Sequence, residues 1–194
     1  METAPARPVG VIGQIDRALE ATATIVEAVA VAQLTAATPC REWDVRAVLN
    51  HTVSGMHRVA AALSDMGSGA EREDDWLGSD PQGAYAAAAE IVRAAWHRPD
   101  ALSASVDTVY GILPGTALAT IHLTELLAHG SDIAVAIDRA DLPDDELCAE
   151  LLAQLESQGG IDDFRKRGIF APRVDIAADA PAHRRLLAYL GRDC

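Results

Sequence analysis

The feature that most constrains this sequence is the stretch IHLTELLAHGSDI, residues 121–133, which is apolar enough for a buried helix yet carries two histidines and two carboxylates. At about 100° per residue, helical geometry keeps these four polar side chains on one side of the helix; they are His122, Glu125, His129 and Asp132. Polar groups on a buried helix face need hydrogen-bonding partners or a metal ion. The stretch therefore predicts a polar site inside a helical core.

A metal site is one interpretation of this face. Glu125 and His129 are four residues apart, the spacing at which two side chains meet over one helical turn and bind the same ion. We expect the third ligand to be His51, because Gly55, one turn later, has no side chain to cover it. Three protein ligands leave a position for water or substrate, as in catalytic zinc sites.

Spacing alone leaves other interpretations open. Most pairs of this kind are solvated or form ordinary hydrogen bonds. A buried hydrogen-bond network of His51, Glu125 and His129 also fixes the register of a helical core without any ion.

Three further side chains are candidates for supporting roles. Asp132 is predicted to accept a proton from a ligand imidazole and so fix its tautomer, with the Trp43 indole or a loop amide as the alternative partner. We expect His122 to be an interior hydrogen-bonding group beside the ligands, rather than a ligand or an acid-base group. Arg58, seven residues after His51 on the same side of its helix, is a candidate for binding a substrate carboxylate; the alternative is a solvated surface charge.

Length and composition favour one helical domain over residues 1–194. The chain is long enough for one well-buried core and short for two. Apolar residues make up 49% of the sequence and aromatic residues only 4%, which suits helix-on-helix packing with few large side chains. The predicted fold class is all-α.

Charge and cysteine content narrow the expected partners and compartment. The formal net charge is −13 at pH 7, so we expect neither nucleic acid nor membrane surfaces to be partners. Three cysteines lie far apart, which is typical of a reducing cytosol. We recognise neither a secretory signal, with a basic region followed by an apolar run, nor a stretch that could span a bilayer. The expected location is therefore cytoplasmic.

Apolar periodicity and helix-terminal residues predict the elements. Asp44 is the predicted N-cap of the second helix. The stretch SASVDTVYGILPG is predicted to be extended. The predicted helices run from about Val9 to Gln33, from Val45 to Met66, from Pro81 to a stop at Pro99, from Pro114 to Ile137, through Leu147, Leu151 and Leu155 to a stop at Gly159, near IDDFRKR, and from a cap at Asp179 through Pro181 to Gly191.

Two long runs carry a family resemblance. TPCREWDVRAVLNHTVSGMHR and ELLAHGSDIAVAID resemble the mycothiol-dependent maleylpyruvate isomerase N-terminal domain, within the DinB-like superfamily of metal-binding helical bundles. The tail FAPRVDIAADAPAHRRLLAYLGRDC is similar to the end of single-domain actinobacterial members. The resemblance implies a four-helix bundle with one long crossover, followed here by short C-terminal helices.

The resemblance also implies a divalent metal, usually zinc, held by residues that match His51, Glu125 and His129. Nickel suits these nitrogen and oxygen ligands nearly as well. Trp43 matches the first position of the family's W-D motif, which leads into helix two. His122 has no counterpart in the family pattern.

Two classes of function follow from these expectations. The first is a metal-dependent enzyme that acts on a thiol cofactor, a mycothiol-type S-transferase or isomerase, with a small-molecule substrate or thiol as partner. The second is a non-enzymatic bundle that binds a metal or a small molecule, or that supports a homodimer through apolar residues of the first helix. Cys40, a loop thiol without a clear histidine partner, is expected to be inert.

Overall fold

A computed structural model describes residues 10–64, 74–108 and 111–193. Helices dominate its regular secondary structure, as predicted. The α-helices are α1 (Val11–Glu27), α2 (Val45–Leu63), α3 (Pro81–Trp96), α4 (Gly115–Ala136), α5 (Asp145–Ser157), α6 (Asp162–Lys166) and α7 (Ala182–Tyr189), and the strands are β1 (Ser105–Thr108) and β2 (Gly111–Pro114). None of the described helices is long and apolar enough to cross a membrane.

Helices α1 to α4 form the bundle. Helix α1 packs against α3 and α4, and α2 packs against the same two helices, so α1 and α2 lie at opposite corners. The largest wholly buried side chains include Trp96, Tyr85, Leu49 and Leu123. Helix α4 is buried on nearly all sides, which is typical of a helix at the centre of a core. This is the all-α, DinB-like fold that the sequence predicted.

Capping residues fix where the bundle helices begin. The Asp44 carboxylate accepts a hydrogen bond from the Ala47 backbone N–H at 2.8 Å, which confirms the predicted cap of α2. Helix α3 begins at Pro81, as predicted, and the Asp80 carboxylate accepts from Gly83 N–H at 3.0 Å. Both helices that flank the first long connection are therefore started by local sequence signals.

The extended segment before α4 is an antiparallel hairpin. Strands β1 and β2 pair with Val106 opposite Leu113 and with Thr108 opposite Gly111. Tyr110, which belongs to the stretch predicted to be extended, lies outside the described residues.

The first predicted helix was wrong at its C-terminal end. Helix α1 ends at Glu27, and a separate 3₁₀ turn follows at Val31–Gln33. Because the intervening residues include neither glycine nor proline, the sequence carries no stop signal there. The predicted start at Val9 and the predicted end of α2 at Met66 lie outside the described residues.

The cap predicted for the last helix was also wrong. Helix α7 begins at Ala182, and its N-cap residue Pro181 offers no side-chain acceptor. Instead Asp145, at the start of α5, accepts hydrogen bonds from the backbone N–H groups of Ala182 at 3.0 Å and His183 at 2.8 Å. Asp179 is exposed. The C-terminal helix is thus fixed by a side chain from another helix.

Candidate metal centre

Three predicted ligands come together where α2 packs on α4. The ligand atoms of His51, Glu125 and His129, called the triad below, all lie within 4.8 Å of one another. Glu125 Oε2 is 3.0 Å from His51 Nε2 and 3.3 Å from His129 Nε2. The Glu125 side chain is 38% exposed, so the triad is reached from outside. Residues far apart in sequence therefore direct two nitrogens and one oxygen at one point.

Opposing charges set the protonation of His129. Its Nδ1 donates to Asp132 Oδ2 at 3.1 Å while its Nε2 faces Glu125. Burial alone lowers the pKa of His129, but hydrogen bonds to Asp132 and Glu125 outweigh burial and raise this pKa to about 9. The ring is therefore a cation at neutral pH in this structure, with a proton on the nitrogen that faces the other two side chains.

The pKa values of the other two members of the triad are lowered. Burial alone raises the pKa of Glu125, but hydrogen bonds from His129 and His51 hold it well below its ordinary value. Burial lowers the pKa of His51 despite the nearby carboxylate. One carboxylate, one neutral imidazole and one imidazolium thus share the triad.

The chemistry of this donor set fits a borderline divalent cation such as zinc or nickel. Both imidazoles direct Nε2 to Glu125, and the second nitrogen of His129 is already bound to Asp132. A carboxylate behind a ligand imidazole is the usual outer partner in zinc sites. A cation at the triad would replace the Nε2 proton of His129, because metal-binding histidines must be deprotonated at the ligand nitrogen.

Arg192 supports Asp132 from the C-terminal end of the chain. Its Nε donates to both carboxylate oxygens of Asp132, at 3.1 and 3.3 Å. Arg192 follows Gly191, whose φ of +86° closes α7. The backbone N–H groups of Gly191 and Arg192 return to the carbonyls of Ala188 and Leu187, which is a Schellman motif. Sequence reasoning predicted Gly191 as the helix end but missed Arg192.

The Trp43 ring packs beside the two imidazoles of the triad. Its ring centroid lies 4.6 Å from that of His51 and 5.8 Å from that of His129. Thr38 Oγ1 donates to the Trp43 carbonyl at 2.8 Å, which fixes the connector in front of the α2 cap. Sequence reasoning placed Trp43 in the W-D motif but did not predict this contact.

Two of the remaining candidates have hydrogen-bond partners outside the triad. His122 Nδ1 accepts a hydrogen bond from Trp96 Nε1 at 2.9 Å, as expected of an interior hydrogen-bonding group. Arg58 Nη1 donates to Ser54 Oγ at 2.9 Å. Burial raises the pKa of the Cys40 thiol, which agrees with its predicted inertness.

Two cavities adjoin the triad. A small cavity of about 100 Å³ lies between α2 and α4, and its lining includes His51, Arg58 and His122. A large cavity of about 530 Å³ lies between α4 and the region from residue 155 to residue 170. Ile121 and Glu125 line both cavities. A ligand in either cavity therefore lies beside the same residue, Glu125.

Comparison with known proteins identifies a family. A sequence model described as the mycothiol maleylpyruvate isomerase N-terminal domain matches residues 15–134, more than half of the chain and the part that contains the triad. Two proteins from strains of Mycobacterium tuberculosis, the uncharacterized proteins Rv0738 and MT0763, are each 29% identical over 177 residues, 91% of this chain and 94% of the relative. No solved structure matches significantly.

Proposed function

The chain belongs to the mycothiol maleylpyruvate isomerase N-terminal domain family, and we propose that it is a divalent-metal-dependent enzyme acting on a thiol cofactor of the mycothiol type, as an S-transferase or isomerase. The observation that carries the proposal is the meeting of His51, Glu125 and His129 within 4.8 Å, beside two cavities that share Glu125. Three protein ligands with outside access suit a catalytic centre better than a closed structural one.

Each residue of the centre has a separate task in this proposal. The triad supplies the ligands, and zinc is the first choice of metal, with nickel as the alternative. Asp132 holds the Nδ1 proton of His129 and so keeps Nε2 for the ion, while Arg192 holds Asp132 in place. When bound, the dication favours the thiolate form of a coordinated thiol and thus provides a nucleophile near neutral pH.

The two cavities suit two reactants of unequal size. The large cavity falls within the usual range for small-molecule sites and has both polar and aromatic lining, including Gln158, Arg167 and Phe164. It is the proposed site for the body of the thiol cofactor. The small cavity is the proposed site for the electrophile, and Arg58 in its lining is a candidate for contacting a polar group of that molecule.

A second candidate function is a metal-free bundle that binds a small molecule without catalysis. One observation favours it: Glu125 Oε2 contacts both His51 Nε2 and His129 Nε2, so the polar groups of the triad satisfy one another without an ion. Such networks by themselves specify a helical core. The two candidates differ in metal content and in turnover, both of which are measurable.

The first experiment is metal analysis of tag-free protein by plasma mass spectrometry, with His129→Ala and His57→Ala compared. His57 is the matched control, because it lies on α2 but stacks on Trp76, with ring centroids 4.7 Å apart. We expect near-stoichiometric zinc or nickel in the wild type and in His57→Ala, and loss of metal in His129→Ala. Wild-type protein that contains no metal and takes up no added zinc would overturn the metal centre.

The second experiment tests catalysis on protein of known metal content. Mycothiol and a simpler thiol are each mixed with a panel of electrophiles, and thiol consumption is followed with and without a chelator. We expect turnover that the chelator abolishes and that added zinc restores. Metal-loaded protein without chelator-sensitive turnover over the whole panel would leave a metal-binding bundle and remove the enzyme proposal.

A further inference from the structure

His122 carries a buried hydrogen-bond donor that has no partner among the residues the structure describes. Its Nδ1 accepts from Trp96 Nε1 at 2.9 Å, and an indole nitrogen only donates. The proton of the neutral ring is therefore on Nε2, at the other end of the imidazole. This Nε2 is buried and has no hydrogen-bond partner among the described residues, although burying an unpaired polar group is costly.

The protonation of His122 agrees with this tautomer. The side chain is almost wholly buried, with 3% of the residue exposed, and burial lowers the pKa of its ring to about 4. The ring is consequently neutral over the physiological range. A neutral imidazole polarised by a donated indole hydrogen bond is a good single N–H donor.

His122 is among the residues that line the small cavity. Much of the remaining lining is apolar, with Met56, Val59, Leu118 and Leu126 among it. The volume of about 100 Å³ is smaller than the volume of about 150 Å³ of an engineered cavity that holds benzene, so the cavity admits no molecule larger than one with a five-membered carbon ring. The cavity thus has room for one small carbon ring next to a histidine whose Nε2–H lacks an acceptor among the described residues.

The charges of the lining residues indicate which hydrogen-bond acceptor suits this cavity. Among the described residues, the charged side chains in its lining are the cation Arg58 and the two carboxylates Asp107 and Glu125, so this described lining has no excess of positive charge. A carboxylate ligand would lie beside Glu125 and would lose its hydration. A carbonyl oxygen accepts the hydrogen bond from Nε2–H without bringing a charge or a further donor that needs its own partner.

We propose that the small cavity binds the uncharged carbonyl group of a small, mainly apolar molecule, and that the Nε2–H of His122 donates to the carbonyl oxygen. The inference deepens the proposed function by giving the chemical class of the electrophile. Only the statement that this molecule is the electrophile rests on the proposed function. Binding itself needs no metal. His122 is a positioning and specificity residue of the cavity in this proposal.

The test compares three probes that share one five-membered ring. Cyclopentanone has the acceptor, methylenecyclopentane has the same shape without it, and cyclopentanecarboxylate has a charged acceptor. Binding to zinc-loaded and to chelator-treated wild-type protein is followed by NMR, with ¹⁵N-histidine labelling to observe the Nε2–H signal of His122. We expect cyclopentanone to bind about tenfold more tightly than methylenecyclopentane, the difference expected for one neutral hydrogen bond, and to shift the His122 signal.

Two variants separate the cavity from the hydrogen bond. Ala62→Leu adds volume to the cavity lining and is expected to remove binding of both uncharged probes with unchanged zinc content. His122→Phe is expected to remove only the preference for cyclopentanone. His57→Phe is the matched control, because His57 stacks on Trp76, and it is expected to bind like the wild type.

The labelled wild-type protein decides the question even if His122→Phe fails to fold. Equal binding of the two uncharged probes, or an unmoved Nε2–H signal with cyclopentanone present, would overturn the proposal and leave water as the partner of His122. Tighter binding of the carboxylate would also overturn it and assign the cavity to Arg58. Cyclopentanone binding to chelator-treated protein would support the proposal even if the metal centre were disproved.

Discussion

Arg192 lies 60 residues after Asp132 in sequence, yet its Nε donates to both oxygens of that carboxylate, at 3.1 and 3.3 Å. Asp132 is wholly buried, and the Arg192 side chain is 13% exposed. Asp132 in turn accepts from His129 Nδ1. The segment that follows α7 thus supports the triad through one guanidinium and one carboxylate.

Arg192→Met tests this support. Removing one partner of a buried ion pair leaves an uncompensated charge, which typically costs about 3–5 kcal/mol. We expect the free energy of unfolding, measured in urea, to fall by about 3 kcal/mol. Arg41→Met is the matched control, because Arg41 pairs with Asp193 on the surface, where the side chains are 79% and 67% exposed; it is expected to change the stability by less than about 0.5 kcal/mol. Equal effects of the two variants would contradict the interpretation.

The sequence predicted the triad because most of its geometry is local. Glu125 and His129 lie one turn apart on a single helix, and Asp132 lies three residues beyond His129, so helical periodicity alone sets their mutual positions. The contribution of His51 needed the packing of α2 on α4, which spacing only suggested. Arg192 was not predictable in this way, since nothing in the local pattern around a lone arginine indicates a partner 60 residues away.

The difference between local and long-range contacts also explains which helix caps were predicted correctly. Asp44 bonds the N–H three residues later, and such a contact follows from the sequence. Asp145 bonds the start of α7 from another helix, so its role depends on the packing of α5 against α7. The local pattern instead indicated Asp179, which is exposed.

Asp145→Ala and Asp179→Ala test which carboxylate caps α7. Loss of a helix cap typically costs about 1–2 kcal/mol, so we expect Asp145→Ala to lower the free energy of unfolding by about that amount. Asp179→Ala is expected to change it by less than about 0.5 kcal/mol. The comparison is made by thermal and urea unfolding at pH 7. A larger effect at Asp179 would restore the sequence-based cap.

The cap also has a predictable pH dependence. Burial alone raises the pKa of Asp145, but the N–H groups of Ala182 and His183 outweigh burial and lower it. The stabilisation is therefore complete above the ordinary carboxyl pKa of 3.8 and is lost as the pH falls through the lower folded value. The difference in stability between wild type and Asp145→Ala is expected to shrink below about pH 4.

Gly130 marks a close approach of α4 to α1. A Cβ atom at this position would lie 2.9 Å from Thr22 Oγ1, and Thr22 is buried. Helix propensity favours Gly130→Ala by about 1 kcal/mol, but overpacking costs about 1–3 kcal/mol. We expect the single change to be destabilising by up to about 2 kcal/mol.

A double-mutant cycle separates these two contributions. In a Thr22→Ala background the clash is absent, so Gly130→Ala is expected to become stabilising by up to about 1 kcal/mol. Gly55→Ala is the matched control within a helix, because its Cβ would meet only Arg58 Nη2 at 3.7 Å; it is expected to stabilise in both backgrounds. Additive effects at Gly130 and Thr22 would show that the two helices adjust without strain.

The pH dependence of the metal-free protein reports on His129. The pKa of this ring is raised to about 9 in the fold, against about 6.5 in an unfolded chain. Its stabilisation is therefore complete below about pH 6.5 and is lost as the pH rises through about 9. A shift of this size corresponds to about 3 kcal/mol at most. Burial lowers the pKa values of His51 and His122. These two rings therefore reduce the stability as the pH falls below about 6.5, because the unfolded chain then binds protons that the folded protein does not.

Zinc affinity is expected to depend on pH over the same upper window. Because the ion must displace the Nε2 proton of His129, log affinity is expected to rise by about one per pH unit from about pH 6.5 to about pH 9 and then to level off. Competition with a chromophoric chelator measures the slope, and urea unfolding of chelator-treated protein measures the stability. His57→Gln, the control, is expected to keep both profiles, since His57 stacks on Trp76 outside the triad. A metal-free protein whose stability is flat from pH 6.5 to 9 would show that His129 is not a cation between two carboxylates.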